Sequence, residues 1–183
     1  WTLSRGLGDV YKRQMYGWPF LLDVIGTGWH AGIVKEAGLP DGAPATWQDY
    51  LSRADQVVES GAAPFGATFD ANGWRSLAPF THSLTSDVYT SEGLFDFTGD
   101  AAIEALMLMK NIMSKSHPDI MLAGTSDGGV NGTPDEVAFA AQRVGYYNKY
   151  FNAPLRMAQY WDNPSDLRIC LLYTSPSPRD RVQ

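Results

Sequence analysis

Flat aromatic rings, and polar side chains set beside turns, are the chemistry-bearing residues of this sequence. The rings are Trp18, Trp29, Trp47, Trp74 and Trp161, with Tyr16, Tyr146, Tyr147, Tyr150 and Tyr160. The axial C–H face of a pyranose stacks on such rings, while carboxylates and amides take its hydroxyls in paired hydrogen bonds. Each ring also has a packing explanation. Trp47 lies on the apolar stripe of a helix and is assigned to the core. Trp74 follows the turn Asp70-Ala71-Asn72-Gly73 and has Asn72 and Arg75 beside it, so it stays open between packing and ligand contact. Asp23 ends an apolar run, where a carboxylate must reach water or find donors. A buried structural acid and an acceptor for sugar hydroxyls fit that position equally.

Other chemistries lack their residues. His30, His82 and His117 stand in different segments with no partner at helical spacing, so no metal site is expected. Gly26-x-Gly28 with Gly32 has the wrong spacing for a dinucleotide loop, and Asp127 and Asp135 lack that of a calcium loop. Asn131-Gly132-Thr133 matches a glycosylation triplet, but a turn accounts for it. With no nucleophile elbow, phosphate loop or carboxylate pair, neither a catalytic residue nor a cofactor is expected. A hydrolase reading would need a second carboxylate facing Asp23 across one sugar ring. A purely structural α/β domain would need every ring in the core.

The two ends read differently from the middle. Ser4 to Gln14 can be encoded by a DNA whose reverse complement, shifted by one base, translates to Cys170 through Asp180. Residues 1–14 and 170–183 are therefore expected to be a sequencing-library adapter translated on both sides of an insert, and are set aside from fold reasoning. The whole chain carries 14 Lys and Arg against 20 Asp and Glu. Without Arg5, Lys12, Arg13, Arg179 and Arg181, and without Asp9 and Asp180, the balance is 9 against 18, a net charge of -9. Such acidity repels phosphate backbones, so no nucleic-acid partner is expected. Cys170 is the only cysteine, which leaves the insert without a disulfide framework.

The elements that must position the rings are short strands interleaved with helices. Tyr16 to Val24, interrupted by Pro19, suits a strand. Gly26-Thr27-Gly28 reads as a turn, and Trp29 to Ala37 as a helix closed by Gly38. Thr46 caps a helix with Asp49 at its third position, and Trp47, Tyr50, Leu51, Ala54, Val57 and Val58 form its stripe up to Gly61. Pro64 to Phe69 reads as a strand, Arg75 to Thr85 as a helix despite Pro79, and Phe95 to Phe97 as extended. Asp100 is expected to cap a helix whose apolar face is Ile103, Leu106, Met107, Met109, Ile112 and Met113. Thr133-Pro134-Asp135-Glu136 is a capping box opening a helix to Ala141, and Arg143 to Tyr147 follows as a strand. The alternation predicts a layered α/β domain.

Three blocks make the sequence resemble the extracellular solute-binding proteins of ATP-binding-cassette (ABC) sugar importers, the family related to maltose-binding protein. They are Tyr16-Gly17-Trp18-Pro19 running to Trp29-His30, then Pro44-Ala45-Thr46-Trp47-Gln48-Asp49-Tyr50-Leu51, then Glu136 to Tyr146. The third is similar to the family's pattern with Gln142 where glycine is usual and Gly145-Tyr146 in place of Ala-Met. The resemblance implies a periplasmic-binding-protein-like α/β fold of two lobes. Residues 15–24 would be a hinge or first-lobe strand and residues 25–169 most of the second lobe. It implies binding of a sugar or polyol and delivery to ABC permease subunits, in the periplasm or outside the cell, with membrane contact only through the permease or a lipid anchor. By position it implies Asp23, Asn72, Trp74 and Arg75 as ligand contacts, together with Tyr147, Asn148 and Tyr150 just after the third block.

Overall fold

The structure is a computed structural model that describes residues 24–70, 73–116, 126–127 and 130–170. Strand β1 (Ile25–His30) runs directly into α1 (Ala31–Glu36), followed by α2 (Trp47–Glu59), β2 (Phe65–Phe69), α3 (Gly73–Leu84) and α4 (Asp100–Met113). The two-residue strands β3 (Ser126–Asp127) and β4 (Val130–Asn131) precede α5 (Pro134–Ala140), β5 (Val144–Tyr150), α6 (Asn152–Met157) and β6 (Leu167–Cys170). The main sheet has the order β2-β5-β1-β6, with β2 parallel to β5 and β1 antiparallel to both its neighbours. Helices cover both faces, which makes the expected layered α/β architecture. On one face Trp29, Ala67, Phe69 and Tyr146 meet α2, α3 and α4. On the other, Tyr147 packs with Phe139 of α5, Met157 of α6 and Trp161.

Local signals explain several boundaries. Thr46 Oγ1 accepts from the Asp49 N–H at 3.1 Å, while the Asp49 carboxylate accepts from Ala45 N–H at 2.8 Å, so α2 starts where its capping pattern places it. Gly38 has φ of 73°, and the bonds from Gly38 N to Lys35 O and from Leu39 N to Val34 O close α1 as a Schellman motif. Glu136 accepts from Thr133 N–H at 3.1 Å at the start of α5, where proline occupies the first turn.

Other boundaries differ from the sequence reading. The expected turn Gly26-Thr27-Gly28 is the middle of β1. Its glycines serve close approach: a Cβ on Gly26 would lie 2.0 Å from the Phe151 ring, and one on Gly28 would lie 3.0 Å from Pro154 Cβ. Trp29 is therefore a strand residue, and the helix begins at Ala31 with His30 as its cap. At α4 the cap position is Gly99, whose N–H donates to Asp96 Oδ1, so Asp100 is the first helical residue. That helix also presents a different face. Ala102, Ala105, Leu108, Met109 and Ile112 are buried, whereas Ile103, Leu106, Met107 and Met113 are exposed. Asp100, Glu104, Lys110 and Asn111 stand on the outer side, and the covered side includes the small Ala102 and Ala105, which the expected stripe of large residues left out. Finally, Cys170, assigned by sequence to the terminal segment, ends β6 opposite Thr27.

Candidate functional site

The carboxyl ends of β2 and β5 reach one edge of the sheet, and β1 starts there because it runs antiparallel to β5. Two backbone bonds fasten that edge. Asp70 N–H donates to Asn148 O at 3.0 Å, joining the end of β2 to β5, and Phe151 N–H donates to Val24 O at 3.0 Å, joining the end of β5 to the start of β1. Helix α3 leaves from this edge after β2, and α6 leaves after β5. Ligands of open α/β sheets bind outside the carboxyl ends of strands, where connecting segments diverge. Of the sequence-selected residues, Arg75 in the first turn of α3 and Tyr150 at the end of β5 belong to this edge.

Asp23, Asn72 and the Trp74 side chain lie outside the described residues. The backbone of Trp74 belongs to the first turn of α3 rather than to a loop tip. Arg75 is half-exposed, with Nη1 3.9 Å from Oδ2 of the buried Asp70. Tyr147 is placed differently from its expected role: its ring is fully buried against Phe139 at 5.0 Å, and its hydroxyl donates to Asp135 Oδ2 at 2.6 Å. A ring with no open face cannot stack on a ligand, so Tyr147 belongs to the core. Asn148 is likewise buried between strands, its Nδ2 donating to Thr27 Oγ1 at 2.7 Å. Of the three, Tyr150 alone keeps partial exposure, beside the Lys149 ammonium at 5.4 Å. Among the described residues the other sequence-selected rings are packed as well, except the exposed Tyr160. Trp29, Trp47, Trp161 and Tyr146 are buried, and the indole N–H groups of Trp47 and Trp161 donate to Ser83 Oγ and Phe139 O.

Beneath the same edge lies a cluster that the sequence did not announce. Lys149, 2% exposed, places Nζ 2.9 Å from Asp135 Oδ2, 3.2 Å from Glu136 Oε1 and 3.0 Å from Thr133 Oγ1. Arg156 of α6 donates to Glu136 Oε1 at 2.7 Å. Burial alone would lower the Lys149 pKa, but Asp135 and then Glu136 and Asp70 outweigh it and hold the ammonium above its ordinary value. Burial, reinforced by Asp135, pushes the Tyr147 hydroxyl well above its ordinary value. Both effects favour the observed partners, so this interior is a neutral hydroxyl and a charged lysine sharing one carboxylate. The capping box did locate Asp135 and Glu136. Lysine in a strand carries no signal of burial, because its usual place is the surface.

Among the described residues, no group of three His, Cys, Asp or Glu is placed to hold a metal ion, and no helix is long and apolar enough to cross a membrane. No family model matches the chain. No curated protein matches it in sequence either. Solved structures do match in fold. An ABC transporter solute-binding protein from Thermotoga lettingae, bound to α-D-tagatose, aligns with a TM-score of 0.68 at 17% identity, over 92% of this chain and 43% of its own. One from Agrobacterium vitis, with D-mannitol, aligns at 0.66 and 13% identity over 90% and 40%. UgpB from Mycobacterium tuberculosis, with glycerophosphocholine, aligns at 0.65 and 14% over 91% and 40%. The chain thus has the α/β fold of part of an ABC solute-binding protein and spans about 40% of the length of these structures.

Proposed function

We propose that this chain is the greater part of one lobe of a receptor for a carbohydrate-type solute, a sugar or polyol, that hands its ligand to an ABC permease in the periplasm or outside the cell. The observation that carries the reading is that Val24 at the start of β1, Asp70 at the end of β2 and the Tyr150–Asn152 turn after β5 are joined along one sheet edge. It has the most weight because the fold around that edge is shared with solute receptors over nine-tenths of the chain. Asp23, Asn72, Trp74, Arg75 and Tyr150 would face the solute, with Asn148 behind them holding β5 to β1. Rings and planar polar groups grip a neutral, hydroxylated guest without breaking a bond. Closure of a second lobe over that edge would bury the guest, and the closed form would be what the permease recognises.

Calorimetric titration of the longest polypeptide carrying this chain, against tagatose, mannitol, ribitol, maltose and laminaribiose, tests the proposal. Saturable binding of at least one is the expected result. No heat and no rise in melting temperature at 10 mM of any of them, conditions under which ligand binding must stabilise the folded state, would reject it.

A further inference from the structure

Charges alternate across the proposed solute edge in a row that crosses five elements. Arg75 in the first turn of α3 faces Asp70 at the end of β2. Asp70 is joined to β5 by its N–H bond to Asn148 O at 3.0 Å, one residue before Lys149. Lys149 holds Asp135 and Glu136 at the start of α5, and Glu136 holds Arg156 of α6. The outer members, Arg75 and Arg156, are 42% and 46% exposed, whereas Lys149, Asp135 and Glu136 are 5% exposed or less. Lys149 is the centre of the row and the next-to-last residue of β5, directly beneath the turn through Tyr150, Phe151 and Asn152.

We propose that Lys149 is a positioning residue of the solute site. Its ammonium draws the start of α5 onto the end of β5, while Glu136 binds α6 to the same point through Arg156. The turn between β5 and α6 is thereby fixed in height and angle relative to Val24, bonded to Phe151 of the turn, and to Asp70, bonded to Asn148 near the end of β5. A purely apolar contact would hold α5 against the sheet but would not fix its register along β5, since dispersion has no direction. Three oxygens around one ammonium do fix it, because each bond constrains the head group separately. Lys149 thus acts through the turn and touches no solute. The inference rests on the solute-receptor reading for its purpose and on the ion geometry for its mechanism.

Removing the lysine alone leaves two carboxylates buried, so the test uses the triple variant Lys149→Met, Asp135→Asn, Glu136→Gln, which keeps the shapes and removes the charges. Two readouts are taken on the longest polypeptide carrying the chain. The first is the dissociation constant for whichever of tagatose, mannitol, ribitol, maltose or laminaribiose the unaltered protein binds. The second is amide hydrogen exchange, which needs no ligand. A positioning role requires the folded triple variant to bind that sugar at least tenfold more weakly, with the Phe151 amide exchanging at least tenfold faster while those of α2 are unchanged. Lys149→Arg, which keeps the charge, is expected to retain slow exchange at Phe151. Unaltered affinity in the triple variant overturns the inference, as does exchange that rises equally in α2 and at Phe151. If the unaltered protein binds none of the five sugars, the solute reading falls, and the exchange pattern alone then decides whether Lys149 fixes the turn.

Discussion

On one face of the sheet Tyr146 packs against Trp29 and Tyr50, with ring centroids 6.2 and 5.4 Å away, in a layer of aromatic and aliphatic side chains. One residue later in β5, on the opposite face, Tyr147 packs on Phe139 but ends in a hydrogen bond to a carboxylate that also holds a lysine. The first layer is held by area removed from water, a term that has no preferred direction and admits exchange between apolar side chains of similar volume. The second depends on each partner being present, because a buried charge that loses its counter-charge costs far more than the pair contributes. The same strand therefore meets an error-tolerant layer on one side and an all-or-none layer on the other. The all-or-none layer is the one beneath the proposed solute edge.

The largest expected effect comes from breaking the charged layer one-sidedly. Lys149→Met leaves Asp135 buried without a cation and Glu136 with the half-exposed Arg156 alone, and should remove about 3–5 kcal/mol of stability in urea unfolding. The triple variant that also changes both acids to amides should recover most of the loss, a result that a simple cavity at Lys149 would not give. A matched pair of smaller changes then separates the faces by sign. Tyr147→Phe strips Asp135 of a donor and should cost about 1.5–3 kcal/mol. Tyr50→Phe removes a buried hydroxyl that has no hydrogen-bond partner, so it should be neutral or stabilising by up to about 1 kcal/mol. Equal losses from the two substitutions would erase the distinction between the layers.

How far the sequence discloses this molecule follows from which effects are local. The capping of α2 by Thr46 and Asp49, the Gly38 closure of α1 and the capping box of α5 are decided within four or five residues, and each stands where the sequence puts it. Gly26 and Gly28 were misread because their cause is distant: Phe151 and Pro154 occupy the space of the missing side chains. The face of α4 differs from expectation because size and burial are decoupled there: the large Ile103 and Met107 share the side of Asp100, Glu104, Lys110 and Asn111, whereas the small Ala102 and Ala105 lie on the covered side. For the site, the segments were legible and the side chains less so. Val24, the end of β2 and the end of β5 lie along one edge, but Tyr147 and Asn148 are spent on the sheet, and Lys149, just after them, has no feature in the sequence that marks it as buried.

A pH titration gives a more modest test, on the face that carries the charged layer but away from its edge. His30 Nδ1 accepts from the N–H groups of Gly32 and Ile33 at 3.0 and 3.4 Å, and its ring lies 4.4 Å from Trp161. Burial lowers its pKa against an opposing pull from Asp166. A proton on Nδ1 would abolish the cap. With the folded pKa below the unfolded value of 6.5, the unfolded chain takes up the proton first, so this stability is complete above pH 6.5 and drains away as pH falls below it. The cap is worth about 1 kcal/mol. Asparagine caps without titrating, so the difference in melting temperature between the unaltered protein and His30→Asn should narrow or reverse between pH 7 and pH 5. A difference constant over that range would show that the ring is not acting as an acceptor.

The smallest effect concerns the residue at which the third sequence block departs from the pattern it resembles. Gln142, where glycine is usual, has φ of 55°, the left-handed conformation that costs a residue with a Cβ on the order of 1 kcal/mol. Its N–H still bonds Phe139 O, and Arg143 N–H bonds Ala138 O, so the chain must take this shape to leave α5 and enter β5 in register. Gln142→Gly should relieve the strain, but it also frees the unfolded chain, which returns part of the gain. The net expectation is a stabilisation of about 0.5 kcal/mol, readable as a small rise in the urea midpoint at unchanged slope. Because the α5–β5 corner sets where Lys149 meets Asp135, an unexpected loss of stability would mean that glutamine holds that corner in a way glycine cannot. The register of the charged layer would then depend on the connection as well as on the ions.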